Sequence, residues 1–238
     1  MMDTSLALPA AGRVTRALVG VVIGLVLLSV AGQMSKYGLG HPKLQGFVPA
    51  FYVDYESNVP TWYSSFALGL AAGLLAVIAL VKKMRREAYA WHWAALAALF
   101  LLLSIDEVAM FHEYPIAPLR EAWGASGLLY YTWVVPAMIV VAALAVSFQR
   151  FLWRLPRRTG GLFVLAAVVF VGGAIGVEML SGAQASAAGE ENFAYSLIIT
   201  AEELCEMLGV VIFIHALVDY IHGMLGGLQI SVGRRLAH

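Results

Sequence analysis

Three short blocks place acids inside otherwise apolar sequence. LSIDEVAMFHE (103–113) carries Ser104, Asp106, Glu107, His112 and Glu113; GVEMLSG (176–182) carries Glu178; TAEELCEMLG (200–209) carries Glu202, Glu203 and Glu206. Carboxylates and imidazole are good ligands for zinc, iron and manganese, and the same groups hold and move protons. Helical spacing gathers them. Glu202 and Glu203 stand four and three residues before Glu206, and Asp106 stands seven before Glu113, so each pair shares a helix face. The expected metal ligands are Asp106, His112, Glu178, Glu202 and Glu206, with Glu107 and Glu203 orienting them or relaying protons in catalysis. A divalent zinc, iron or manganese ion is the cofactor such a set would take. Taken singly, Glu107, Glu113 and Glu203 also fit a wet outer vestibule, and Glu178 a side chain reaching for the surface. Asp106 and Glu206 do not, because their flanks, LLLSI and LGVVIF, are apolar.

The elements that must carry these blocks are membrane spans. Of 238 residues 61% are hydrophobic and 13% charged, with a mean hydropathy of +0.80, whereas a soluble domain carries about 25% charged residues. A water-soluble enzyme, a disordered chain and a nucleic-acid binder are excluded. The 15 basic residues balance the 15 acidic ones, so no net field attracts a polyanion. The single cysteine, Cys205, excludes an intramolecular disulfide and Cys-ligated zinc or iron–sulfur centres. Crossing the hydrocarbon core takes about 20 apolar residues, and six stretches qualify: 15–34, 61–81, 88–113, 128–148, 160–181 and 194–221. The first also resembles a secretory signal and is read as a retained helix. Connections are short, so residues 1–238 are read as one all-α domain of six transmembrane helices.

Basic residues set the orientation. Arg13, Arg16, Lys82, Lys83, Arg85, Arg86, Arg150, Arg154, Arg157, Arg158, Arg234 and Arg235 fall on one side, and Lys36, Lys43 and Arg120 on the other. Both termini are therefore expected in the cytoplasm of an inner-membrane, multi-pass protein in the lipid bilayer, and all three acid blocks in the outer half. Arg120 is the one basic side chain expected near the acids, too few to neutralise them. Trp62, Tyr130, Tyr131 and Trp133 outside, with Trp91, Trp93 and Trp153 inside, read as interfacial belts. Gly20/Gly24, Gly69/Gly73 and Gly172/Gly176 have the spacing of close helix contacts. Glu190 and Glu191 read as indifferent surface acids, and 47–55 as an uninformative outer loop. Near the inner end His215, Asp219 and His222 share a face that could form a second metal or haem-adjacent site, although meeting water is the ordinary expectation. A haem held between His92 and His215 is a weaker alternative.

The SxDE…HE block, the lone glutamate two helices later and the EExxEM block together resemble a family of bacterial multi-pass membrane proteins without an assigned activity. A fainter likeness, through Ser104, Asp106, His215 and His222, is to the intramembrane zinc hydrolases of the alkaline ceramidase and progestin-receptor superfamily, whose late motif is HxxxH. That likeness implies a hydrolase. Three functions stay open: a metal-dependent enzyme acting on a lipid or membrane-soluble substrate, a cation or proton transporter, and a structural subunit of a larger membrane complex.

Overall fold

A computed structural model describes residues 5–7, 9–225 and 229–231. Among the described residues nine α-helices follow in order: α1 (Ala11–Gln33), α2 (Phe47–Phe51), α3 (Val59–Met84), α4 (Ala90–Ala109), α5 (Ile116–Trp123), α6 (Val134–Arg154), α7 (Arg157–Val171), α8 (Glu178–Ala188) and α9 (Phe193–Leu225). Two wider, π-type turns interrupt the regular pattern, at Met34–Gly38 after α1 and at Gly172–Val177 between α7 and α8. Two short strands, β1 (Ser5–Ala7) and β2 (Gln229–Ser231), pair antiparallel and bring the two ends of the chain together.

Five helical segments are long and apolar enough to cross a membrane: Ala11–Gly38, Val59–Met84, Ala90–Ala109, Val134–Arg154 and Arg157–Ala188. The last joins α7, the π-turn and α8. The sixth expected stretch falls in α9, which at 33 residues is about 50 Å long. The apolar surface is distributed as a bilayer requires. Leu27 on α1, Leu102 on α4, and Ile139 and Val146 on α6 are all exposed. Trp93 is the only buried residue of α4.

The core is built around α9, which packs against α1, α3, α7 and α8. Its lower half is buried on every side, through Met207, Val210, Val211, Ile214, Leu217 and Ile221, as befits a helix apolar all round. Two glycines set how closely α7 and α8 approach it. A Cβ on Gly209 would lie 2.7–2.9 Å from Phe170, and one on Gly173 would lie 2.9 Å from both Cys205 Cβ and the Glu202 carbonyl. The expected glycine pairs do not make the contacts. Gly20, Gly24, Gly73, Gly172 and Gly176 face open space, and Gly69 alone among them meets a neighbour, Ser104 Oγ at 3.3 Å.

Helix ends decide where the acids stand. Asn58 caps α3, its Oδ1 accepting the Thr61 N–H at 3.1 Å, with Pro60 in the first turn. Helix α4 stops at Ala109 because Met110 takes a left-handed conformation (φ 54°, ψ 35°). The expected span to Glu113 is thus four residues too long, and Asp106 and Glu113 do not share a helix face. The fourth span likewise starts at Val134 rather than Leu128, which lies in the 3₁₀ turn Gly127–Leu129. Helices α3 and α4 are fastened at the start of the acid block, two residues before Asp106, by a reciprocal serine pair. Ser65 Oγ donates to the Ser104 carbonyl and Ser104 Oγ to the Ser65 carbonyl, both at 2.8 Å.

Candidate functional site

The turn that ends α4 folds His112 back over Asp106. The His112 N–H donates to Asp106 Oδ1 at 3.1 Å, and its Nδ1 lies 2.7 Å from Oδ2. A carboxylate on Nδ1 fixes the ring and leaves Nε2 as the working nitrogen. The imidazole rests against Trp133, with centroids 4.9 Å apart. Trp133 in turn donates its indole N–H to Glu178 Oε1 at 2.7 Å. Trp133 is therefore part of the site and not an interfacial anchor; Trp93 is no anchor either, being buried against Phe151, Phe163 and Tyr220. Trp62, Trp91 and Trp153 are exposed, as a belt requires.

Glu178 opens α8 just after the π-turn, and Ser181 one turn later touches two acceptors. Its Oγ lies 2.9 Å from the Glu178 carbonyl and 3.1 Å from Glu202 Oε2. A protonated Glu202 would let Ser181 Oγ accept from it while donating to the Glu178 carbonyl.

Glu107, Glu203 and Glu206 form the centre. Each lies in electrostatic reach of the others through Glu206 and Glu203, Glu56 from the outer loop reaches Glu107 and Glu203, and Glu202 and Glu178 reach Glu206. None of the three has a hydrogen bond or ion pair among the described residues. All three keep partial accessibility and their oxygens are not among the sealed, unpartnered atoms, which are Gln33 Oε1, Tyr37 OH and Tyr52 OH. Their oxygens are thus not sealed within the protein.

The expected ligands fall into separate arrangements. Asp106 holds His112, Glu178 takes the Trp133 N–H, Glu202 faces Ser181, and Glu206 stands with Glu107 and Glu203. Among the described residues no group of three His, Cys, Asp or Glu side chains is placed to hold a metal ion. Binding one would need side chains to rotate.

Above the acids lies a cluster that the sequence offered no reason to single out. The segment 47–55, expected to be uninformative, buries Tyr52 and Val53. Lys36, in the π-turn after α1, lies 2.6 Å from Glu191 and donates to Tyr55 OH at 3.0 Å. The rings of Tyr37, Tyr52 and Tyr55 surround it at 5.0–5.3 Å. Lys36, rather than Arg120, is the cation beside the outer acids; Arg120 lies over the Tyr130 ring at 4.0 Å. Burial, opposed by Tyr195 and then reinforced by the Glu190 charge, pushes Asp54 up to about 6. Burial and then the charges of Glu113, Asp54 and Asp106 push Glu56 up to about 7, although part of this residue faces solvent. Glu190 and Glu191 are exposed but not idle: Glu190 accepts from Tyr131 OH at 3.0 Å, and Glu191 pairs Lys36.

Below Glu206 the polar groups end. Seven residues on, about 10 Å deeper, Phe213 stacks on Phe100 at 4.4 Å and meets Phe163 at 4.6 Å. The inner polar residues beyond this plug have separate partners. His215 Nδ1 lies 2.7 Å from Thr15 Oγ1, Asp219 pairs Arg158 at 3.2 Å, and His222 Nδ1 lies 2.8 Å from the Val218 carbonyl. His92 packs against Phe151, Phe148 and Tyr89.

No curated protein and no solved structure matches this chain. One family model does, over residues 15–221, a stretch that takes in every acid of the site. The chain belongs to the family described as Domain of unknown function (DUF8692).

Proposed function

We propose that this is a six-span inner-membrane protein with both termini in the cytoplasm, whose outer half holds an acid chamber exchanging protons with outer water. The carrying observation is the trio Glu107, Glu203 and Glu206, three carboxylates within electrostatic reach of one another and without a hydrogen bond or ion pair among the described residues. Such a group cannot be ionised throughout in a low-dielectric bundle, so positive charge has to be supplied from outside. The doubly contacted Ser181 and the Asp106–His112 pair favour protons as that charge. The phenylalanine plug beneath argues against a path through to the inner side and for a site that works from the outer face alone.

A second reading, a metal-dependent enzyme acting on a lipid, is favoured by the free Nε2 of His112 and by a lateral groove. This groove, about 600 Å³, runs along α3 past Trp62, Phe66, Gly69 and Gly73 to Ser104, one turn from Glu107. Infrared titration of purified protein with parallel metal analysis separates the two. Expected are a carboxylic-acid carbonyl band at neutral pH, diminished in Glu206→Gln, and no stoichiometric metal. One metal ion per chain, lost in the Gln variant, would overturn the proton reading.

The pairing of β1 with β2, which requires both ends on one side, and the basic-residue asymmetry support the topology. Reporters fused after Arg86 and Arg158 are expected to read cytoplasm, and those within 36–56 or 182–193 the outside. A single reproducible reversal sinks the six-span arrangement.

A further inference from the structure

Between the exposed rim and the acid chamber stands a line of hydroxyls. Tyr131 OH lies 3.0 Å from the exposed Glu190 and 2.8 Å from Tyr195 OH. Asp54 lies within electrostatic reach of Tyr195, and its charged neighbours are Glu190, Glu191, Lys36 and Glu56. On the inner side Asp54 is within electrostatic reach of Glu202 and Glu203.

Each tyrosine is held in place by the fold. Asn192 Oδ1 accepts the Tyr195 N–H at 2.9 Å at the start of α9, fixing where that side chain leaves the helix. Tyr131 lies against Gly182, where a Cβ would come within 3.1 Å of its ring. Tyr195 is buried, and a buried tyrosine hydroxyl ordinarily satisfies its bonding within the protein.

We propose that Glu190, Tyr131, Tyr195 and Asp54 form a proton relay that loads the acid chamber from the outer surface. In the outward-loaded state Glu190 carries the proton and donates to Tyr131, Tyr131 donates to Tyr195, and Tyr195 donates to ionised Asp54. Transfer breaks one O–H bond on each of Glu190, Tyr131 and Tyr195. It forms one on each of Tyr131, Tyr195 and Asp54. Glu190 is left ionised and Asp54 neutral, and every hydrogen bond in the line has reversed direction. From Asp54 the proton passes into the chamber. The raised affinity of Asp54 for protons, about two decades above a free aspartate, suits it to receive one near neutral pH.

The relay rests on the proton-chamber reading, and one experiment keeps the two apart. Purified wild type, Tyr131→Phe and Tyr195→Phe are subjected to a pH jump while the carboxylic-acid infrared band is followed in time, with Tyr114→Phe, an exposed tyrosine outside the line, as control. The Phe variants keep the ring and remove the hydroxyl. Both are expected to slow loading by about tenfold or more, leave the equilibrium titration unchanged, and differ from the control. Unchanged rates in both variants, or equal slowing in Tyr114→Phe, overturn the relay while the chamber stands. A wild-type band that never responds to pH overturns the chamber and the relay with it. Should Tyr195→Phe not fold, Tyr131→Phe alone decides.

Discussion

Replacing Glu107, Glu203 and Glu206 together by glutamine is expected to stabilise the protein at alkaline pH, by about 1–4 kcal/mol. Glutamine copies the shape of a protonated glutamate but cannot be forced to ionise. On the proton-chamber reading, the folded wild type holds protons that the unfolded chain releases once pH passes roughly 4–5. The native state then binds more protons than the unfolded one, so wild-type stability falls as pH rises. The triple variant lacks this slope, and the two stability curves should separate steadily towards high pH. Thermal unfolding in detergent between pH 5 and 9 measures it. A triple variant less stable than wild type at every pH, accompanied by loss of a bound metal, would mean that the carboxylates serve as ligands.

Gly209→Ala is expected to cost about 2–3 kcal/mol, and Gly173→Ala a similar amount. At Gly209 the new methyl would meet the backbone N and Cα of Phe170 at 2.8 and 2.9 Å, and backbone cannot rotate away. At Gly173 it would press on the Glu202 carbonyl and on Glu206 Cγ at 3.2 Å, prising α9 from α8 at the level of the acids. The gain in helix propensity, about 1 kcal/mol, offsets only part of this. Gly172→Ala and Gly176→Ala meet nothing within 4 Å and should be neutral or slightly stabilising. Equal melting temperatures for Gly173→Ala and Gly172→Ala would refute the close approach.

That contrast also marks where sequence reasoning reaches and where it stops. Five of the apolar spans and the gathering of acids in three blocks are local properties, carried by composition and helical spacing. The packing glycine is not. Spacing rules assume 3.6 residues per turn, and the π-turn at Gly172–Val177 shifts the register, so Gly173 faces α9 while the expected pair looks outward. The end of α4 was equally hidden. Met110 holds a left-handed conformation usual for glycine or asparagine, and no residue type announces it. Yet that turn alone delivers His112 to Asp106. Trp133 and Tyr131 were assigned to the interface because such residues usually sit there. Their N–H and O–H partners, Glu178 and Glu190, lie 45 and 59 residues away and become visible only once the helices are packed. The lysine within its three tyrosines is a tertiary construction throughout, built from the turn after α1 and the outer loop.

The phenylalanine plug below Glu206 has an electrical consequence. A charge entering from outside and stopping above Phe213 crosses only the outer part of the membrane potential. Full passage of one elementary charge is worth about 2.3 kcal/mol per 100 mV, and a halfway stop about half of that. If the site takes protons from the outer face as proposed, an inside-negative voltage would draw them in and hold them there, so its occupancy would follow the energised state of the membrane. Cytoplasmic acidity would then leave that occupancy unchanged.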